Sequence, residues 1–152
     1  RGGAVTSHVR WGAQVSSPLC EKGAVDYFVA QEMLEALRWM EFLKPGGTLF
    51  LSVQQIIPTS TVYGNDLYPA DERVISLVKQ AAGKVLLIDA KKIAEGLGNA
   101  RVANSVLLGA LSAQMEMTAE AWLDVIVARV PQKHVELNRQ AFYVGREGNW
   151  LI

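Results

Sequence analysis

The spacing of apolar positions along this 152-residue chain changes several times, and each change marks an expected element. Val5 to Trp11 is rich in apolar and β-branched residues, which predicts a strand; Gly12 with Ser16, Ser17 and Pro18 makes the loop after it. Val25 to Ala30 reads as a short apolar strand. From Gln31 the spacing turns helical: Met33, Leu37, Met40 and Leu43 share one side, while Glu32, Glu35, Arg38 and Glu41 take the other. Lys44-Pro45-Gly46-Gly47 is expected to stop that helix. Thr48 to Val53, bounded by the glycine pair and Pro58, has the length and content of a buried strand. Ile57 to Tyr68 has no period and is expected to be a long functional or partner-covered loop. Asp71 to Ala82 is helical again, with Val74, Ile75, Val78 and Ala81 on one face and Gly83 as its stop, and Lys84 to Ala90 is an almost uninterrupted apolar strand.

The rest of the chain is helical in pattern. Ile93 to Leu97 predicts a short helix and Val102 to Met115 a longer one. Thr118 caps a third, in which Leu123, Ile126, Val127 and Val130 form a stripe that Pro131 ends. A final helix from Gln132 carries Val135, Asn138 and Phe142 on one side and is closed by the Gly145 to Gly148 stretch. Apolar strands alternating with helices predict an α/β fold, a three-layer α/β/α arrangement with a mainly parallel sheet and a helical C-terminal third. No repeat or linker divides the chain, and its length suits one domain.

Charge and cysteine content narrow the function classes. Fifteen Lys plus Arg balance fifteen Asp plus Glu, so there is no basic field for nucleic acid or an anionic membrane surface. No apolar run approaches the roughly 20 residues of a membrane span. Cys20 is the single cysteine, so the sequence cannot make an internal disulfide or supply the roughly four thiolates of an iron–sulfur cluster. With only His8 and His134 beside it, there is no zinc spacing. The unpaired thiol and the lack of a signal-peptide pattern point to a cytoplasmic protein.

Few motifs carry chemistry. Gly96-Leu97-Gly98-Asn99 follows a helix, lacks the third glycine of a dinucleotide turn and is better explained as a helix end. There is no Walker loop and no Gly-Asp-Gly run for magnesium diphosphate. Ser7 and His8 are adjacent, so in a strand they face opposite sides and cannot pair as nucleophile and base. His134 lies near Glu136 and Asn138 on a helix, where exposure or capping accounts for it. Asp89, at the carboxyl end of a strand, is read first as the cap of the following helix and second as a ligand. Asn104 and Asn138 stand among apolar helix residues and need partners, within the chain or across a subunit contact. Gly109 marks a close helix or strand approach. Trp39 and Phe42 flank an apolar helix face and suit either core or partner contact. Arg1-Gly2-Gly3 lets backbone come close to a partner or ligand, and Arg1, His8 and Arg10 supply donors for carboxylate or phosphate oxygens.

The run RGGAVTSHVRWG at residues 1–12, followed by Ser17-Pro18-Leu19 and Gly23-Ala24-Val25-Asp26, resembles the small subunit of 2-oxoacid:ferredoxin oxidoreductases. The likeness continues through Glu35 to Arg38, Leu43 to Gly47, Tyr68-Pro69, Asn104 to Ser112 and Asn138 to Gly145, and within the family it is strongest to the indolepyruvate type's beta subunit. The resemblance implies a non-cofactor-bearing subunit of an enzyme that oxidatively decarboxylates arylpyruvates to acyl-CoA, with coenzyme A as co-substrate and ferredoxin as electron acceptor. It places thiamine diphosphate, magnesium and [4Fe–4S] clusters in a larger partner subunit, and no catalytic or metal-binding residue in this chain. Interface or anion contacts are expected at Arg1, Gly2, Gly3, Ser7, His8, Arg10, Asn104 and Asn138. Family members normally begin with a strand, a Gly-x-Gly-Gly-Gln-Gly turn and a helix, so residues 1–152 are expected to form one such domain without that start. Two alternatives stay open: a gamma subunit for pyruvate, 2-oxoglutarate or branched-chain 2-oxoacids, and a stand-alone α/β nucleotide-binding module.

Overall fold

A computed structural model describes residues 5–57 and 68–148. Among the described residues three strands, β1 (Val25–Ala30), β2 (Leu43–Ser52) and β3 (Lys84–Ile88), pair in parallel in the order β1-β2-β3. Thr48 stands opposite Tyr27 on one side and Lys84 on the other. Side chains of a strand alternate between faces, and β2 supplies both cores. Leu49 and Leu51 pack with Met33, Ala36, Val74 and Val78 from helices α1 (Met33–Trp39) and α2 (Asp71–Ala81). Phe50 faces the opposite way, into a cluster with Leu86, Ile88, Ala94, Val106 and Ala141. That second layer is built from α3 (Ala90–Gly96), α4 (Ala103–Ser112) and α6 (Val135–Glu147). A strand order that runs steadily in one direction puts both crossover helices on one face, so the helical C-terminal third covers the other. The result is the expected three-layer α/β/α fold. Helix α5 (Ala119–Arg129) is peripheral, its Leu123 and Ile126 packed on Phe142.

Several boundaries differ from the sequence reading, each for a physical reason. Val5 to Trp11 is not a strand: its backbone joins no ladder, and Val5 and Val9 are 92% and 74% exposed. β-propensity describes fit to a pleated surface, and none is offered there. The helix from Gln31 stops at Trp39, with a 3-10 turn over Met40–Phe42, well before the Pro-Gly-Gly run. Leu43 is buried as a strand residue, paired with Val25. Lys44-Pro45-Gly46-Gly47 lies within β2, forming an irregularity between the Val25–Leu43 and Tyr27–Thr48 pairs. Asp26 stands across from that interruption and forms an ion pair with Lys44. Helix α3 begins at Ala90 rather than Ile93, because the Asp89 carboxylate accepts the Lys92 amide at 3.0 Å and caps it. Gly83 is not required by helix termination: a Cβ there would lie 2.4 Å from Gly46 Cα, so the glycine permits two backbones to meet. Gly145 lies inside α6, whose end is set by Gly148 at φ +76°. The loop expected from Ile57 to Tyr68 falls almost wholly outside the described residues.

Helices α4 and α6 cross at glycines. A Cβ on Gly109 would lie 2.0 Å from the Phe142 carbonyl oxygen, and one on Gly145 would lie 2.0 Å from that of Val106. The close approach expected of Gly109 is therefore present, and it is reciprocal. Beside it, Ser105 Oγ donates to Asn138 Oδ1 at 2.6 Å, and Asn138 Nδ2 donates to the His134 carbonyl at 2.8 Å. The buried amide is satisfied inside the chain.

Candidate functional site

Two groups of residues stand out, at different places in the fold. The first is the arm before β1, residues 5–20, which has no regular secondary structure yet a definite course. Arg10 Nη1 donates to the carbonyls of Ser17 and Leu19 at 3.0 and 3.1 Å, closing the arm on itself. The Cys20 amide donates to His8 Nδ1 at 3.0 Å, and the His8 ring meets the Phe42 ring edge-on at 5.6 Å. Behind the arm, Lys22 pairs with Glu41 at 2.9 Å and the Gly23 amide donates to the Glu41 carbonyl at 2.8 Å. These bonds hold the arm against the turn after α1. They do not hide its apolar side chains: Val5, Val9, Trp11, Val15 and Leu19 are all exposed. The arm bounds an open concavity of about 510 Å³, lined by His8, Val9, Arg10, Val15, Ser16, Ser17 and Pro18.

The second group lies at the carboxyl ends of the strands, where open α/β sheets usually place their sites. Glu32, next after β1 but one, is 6% exposed and caps α1 by accepting the Glu35 amide at 2.8 Å. Its other oxygen accepts the Ile56 amide at 3.3 Å and the Tyr68 hydroxyl, and that hydroxyl in turn accepts the Leu34 amide at 3.2 Å. Gln54 Nε2 donates to the Gln31 carbonyl at 2.8 Å, and Gln55 Nε2 to Asp71 at 2.5 Å. One buried carboxylate thus ties β1, the segment after β2 and Tyr68 together. Sequence reasoning placed Glu32 on the polar side of a helix and missed this. The available signal was an acidic residue at the point where the period changes, three before another, the spacing of an N-terminal cap.

Burial, then the hydrogen bond to Glu32 and that carboxylate's charge, hold the Tyr68 phenol well above its ordinary value of 10.0. The Lys44 ammonium is also raised, chiefly by its hydrogen bond to Asp26. A group whose proton is held more tightly in the folded chain contributes stability that is complete below its unfolded pKa and lost as pH rises above it. The urea midpoint should therefore fall between about pH 9 and about pH 12. In Tyr68→Phe the fall should be shallower but still present, because Lys44 contributes to the same slope. Identical pH profiles for the two proteins would remove Tyr68 as a source.

Among the described residues that the sequence singled out as site candidates, only His8 and Arg10 come together. Arg1, Gly2 and Gly3 lie outside the described residues. Ser7 is exposed on the arm, and His8 and Arg10 share the concavity. Asn104 is exposed on α4, while Asn138 is held by Ser105. Trp39 Nε1 donates to Glu35 at 3.2 Å and its ring contacts Phe42 at 5.7 Å. The Gly96 to Asn99 run is a helix end, with Gly98 at φ +100°. The described residues do not fit a resident metal cofactor: no group of three or more His, Cys, Asp or Glu side chains is placed to hold an ion, and the single thiol cannot hold a cluster. Among them, no helix is long and apolar enough to cross a membrane.

Fold and sequence together define a class. Residues 1–148 match the pyruvate ferredoxin/flavodoxin oxidoreductase family, and the chain belongs to it. It is 36% identical over 148 residues to an indolepyruvate oxidoreductase subunit IorB of Pyrococcus horikoshii, a match covering 95% of this chain and 73% of that one. The subunit of the same name from Thermococcus kodakarensis is 34% identical over 148 residues, again covering 95% and 73%. Among solved structures, the gamma subunit of a keto/oxoacid ferredoxin oxidoreductase from Geobacter sulfurreducens superposes with a TM-score of 0.59 at 26% identity. That match covers 81% of this chain, which spans 63% of the length of the solved subunit.

Proposed function

We propose that this chain is the small, non-cofactor-bearing subunit of a ferredoxin-dependent 2-oxoacid oxidoreductase, and that the complex converts arylpyruvates such as indolepyruvate to acyl-CoA. Similarity to indolepyruvate oxidoreductase subunits supports the substrate class. The observation that carries the subunit role is the arm: five large apolar side chains left in water on a backbone that is hydrogen-bonded into place. An apolar surface held in one conformation is suited to a permanent partner, since little ordering entropy remains to be lost on docking. In this reading the partner is the larger subunit, the complex works in the cytoplasm, and thiamine diphosphate, magnesium and [4Fe–4S] clusters in that partner supply decarboxylation and electron transfer. This chain shapes and covers the approach to them.

Replacing Trp11 and Leu19 together by Ala should weaken binding to the large subunit by about 30-fold or more, the range of an interface hot spot. Melting of the isolated chain should hardly change, because both side chains are already exposed. Titration of purified large subunit, with ferredoxin-dependent turnover of the reconstituted pair, reads both effects. Unchanged affinity, or full turnover by the large subunit alone, would defeat the proposal. Profiling the complex on aryl, branched-chain and short 2-oxoacids separates the arylpyruvate reading from a gamma subunit of another type.

A further inference from the structure

We propose that the concave side of the arm is a binding site for a small oxyanion, a phosphate or a carboxylate group, held by Arg10, His8 and Ser16. The site concerns this chain's own side chains and does not depend on the oxidoreductase reading.

Arg10 is the centre of it. Its Nη1 is occupied by the carbonyls of Ser17 and Leu19, and two carbonyls on one nitrogen fix the plane of the guanidinium. The edge formed by Nε and Nη2 remains, and that edge is the fork that grips an oxyanion with two parallel hydrogen bonds. Among the described residues Arg10 pairs with no carboxylate: every ion pair there involves other side chains. The guanidinium is thus oriented by neutral acceptors and keeps its charge uncompensated.

His8 lines the same concavity. Because its Nδ1 accepts the Cys20 amide, Nδ1 carries no proton and Nε2 must carry one. A backbone bond on the far side of the ring therefore makes the remaining nitrogen a donor. Ser17 has its hydroxyl engaged with the Leu19 backbone, whereas the hydroxyl of Ser16, also in the lining, has no partner among the described residues. The lining contains donors of three kinds and no acidic residue, so nothing in it repels an anion.

The test is a titration of the full chain with sodium phosphate and, separately, sodium acetate. Ionic strength is held constant with chloride, and backbone amide shifts are followed by NMR. Saturable shifts confined to residues 8–20 are expected, and the anion that saturates first identifies the preferred group. Arg10→Lys keeps the charge and loses the fork, and should weaken binding about tenfold. His8→Asn keeps an acceptor for the Cys20 amide and loses the Nε2 donor; it should weaken binding several-fold while the Cys20 amide stays where it is. Shifts that fail to saturate with both anions, or that spread over the lysine-bearing surface, overturn the site. So does wild-type affinity in Arg10→Lys. If that substitution frees the arm, seen as collapse of the Leu19 and Cys20 amide shifts, His8→Asn decides: unchanged affinity there overturns the proposal.

Discussion

Gly109→Ala and Gly145→Ala should each destabilise the chain by about 2–3 kcal/mol, although alanine is the better helix former by about 1 kcal/mol. In each case the new methyl carbon would meet a main-chain carbonyl oxygen of the facing helix at 2.0 Å. A crowded side chain can change rotamer, but a helix backbone cannot, so α4 and α6 must separate. That separation loosens Phe142, which is fully buried and anchors α5 through Leu123 and Ile126. It also strains the bond between Ser105 and Asn138. The two substitutions act on one crossing, so the second should cost much less than the first: once the helices have parted, the other methyl finds room. Urea unfolding of the two single variants and the double variant reads this directly. A single variant more stable than the parent would show that propensity governs and that the crossing can relax freely.

Glu32→Ala should cost about 3 kcal/mol, the second large effect. Three donors lose their acceptor together: the amides of Glu35 and Ile56 and the hydroxyl of Tyr68. The cap of α1 is lost with them. Glu32→Gln keeps the volume and one acceptor oxygen and should cost about 1 kcal/mol. Tyr68→Phe should fall between the two, since it removes one donor from Glu32 and one acceptor from the Leu34 amide. If Glu32→Ala were as stable as the parent, the carboxylate would not be joining these segments, and the carboxyl end of the sheet would be held by its strands alone.

The helices and inner strands were legible because their signals are local. Met33, Val74, Val78, Leu123 and Ile126 fall at helical intervals and are buried where the period puts them. Thr118 and Asp89 act as the caps their positions imply. The Asn138 amide was expected to need a partner, but only the crossing of α4 and α6 names it as Ser105. Of the candidate site, His8 and Arg10 were singled out as anion donors from residue type, yet nothing in the sequence joins them to Ser17, Leu19 and Cys20. Glu32 was invisible as a hub, because its partners lie 24 and 36 residues further along the chain.

By itself, then, the sequence determined the alternation of elements, the apolar face each helix must bury and the family motifs spread along the chain. Periodicity and capping depend only on residues a few positions apart. The tertiary structure decided that Val5 to Trp11 is an arm rather than a strand, that Pro45 and Gly46 interrupt β2 rather than end a helix, that Gly83 and Gly145 are places where backbones touch, and that the close approach at Gly109 is to Phe142 of α6. Each of those outcomes depends on what a distant segment brings alongside: a strand needs a neighbour to pair with, and a glycine is indispensable only where another main chain occupies the space of its missing side chain.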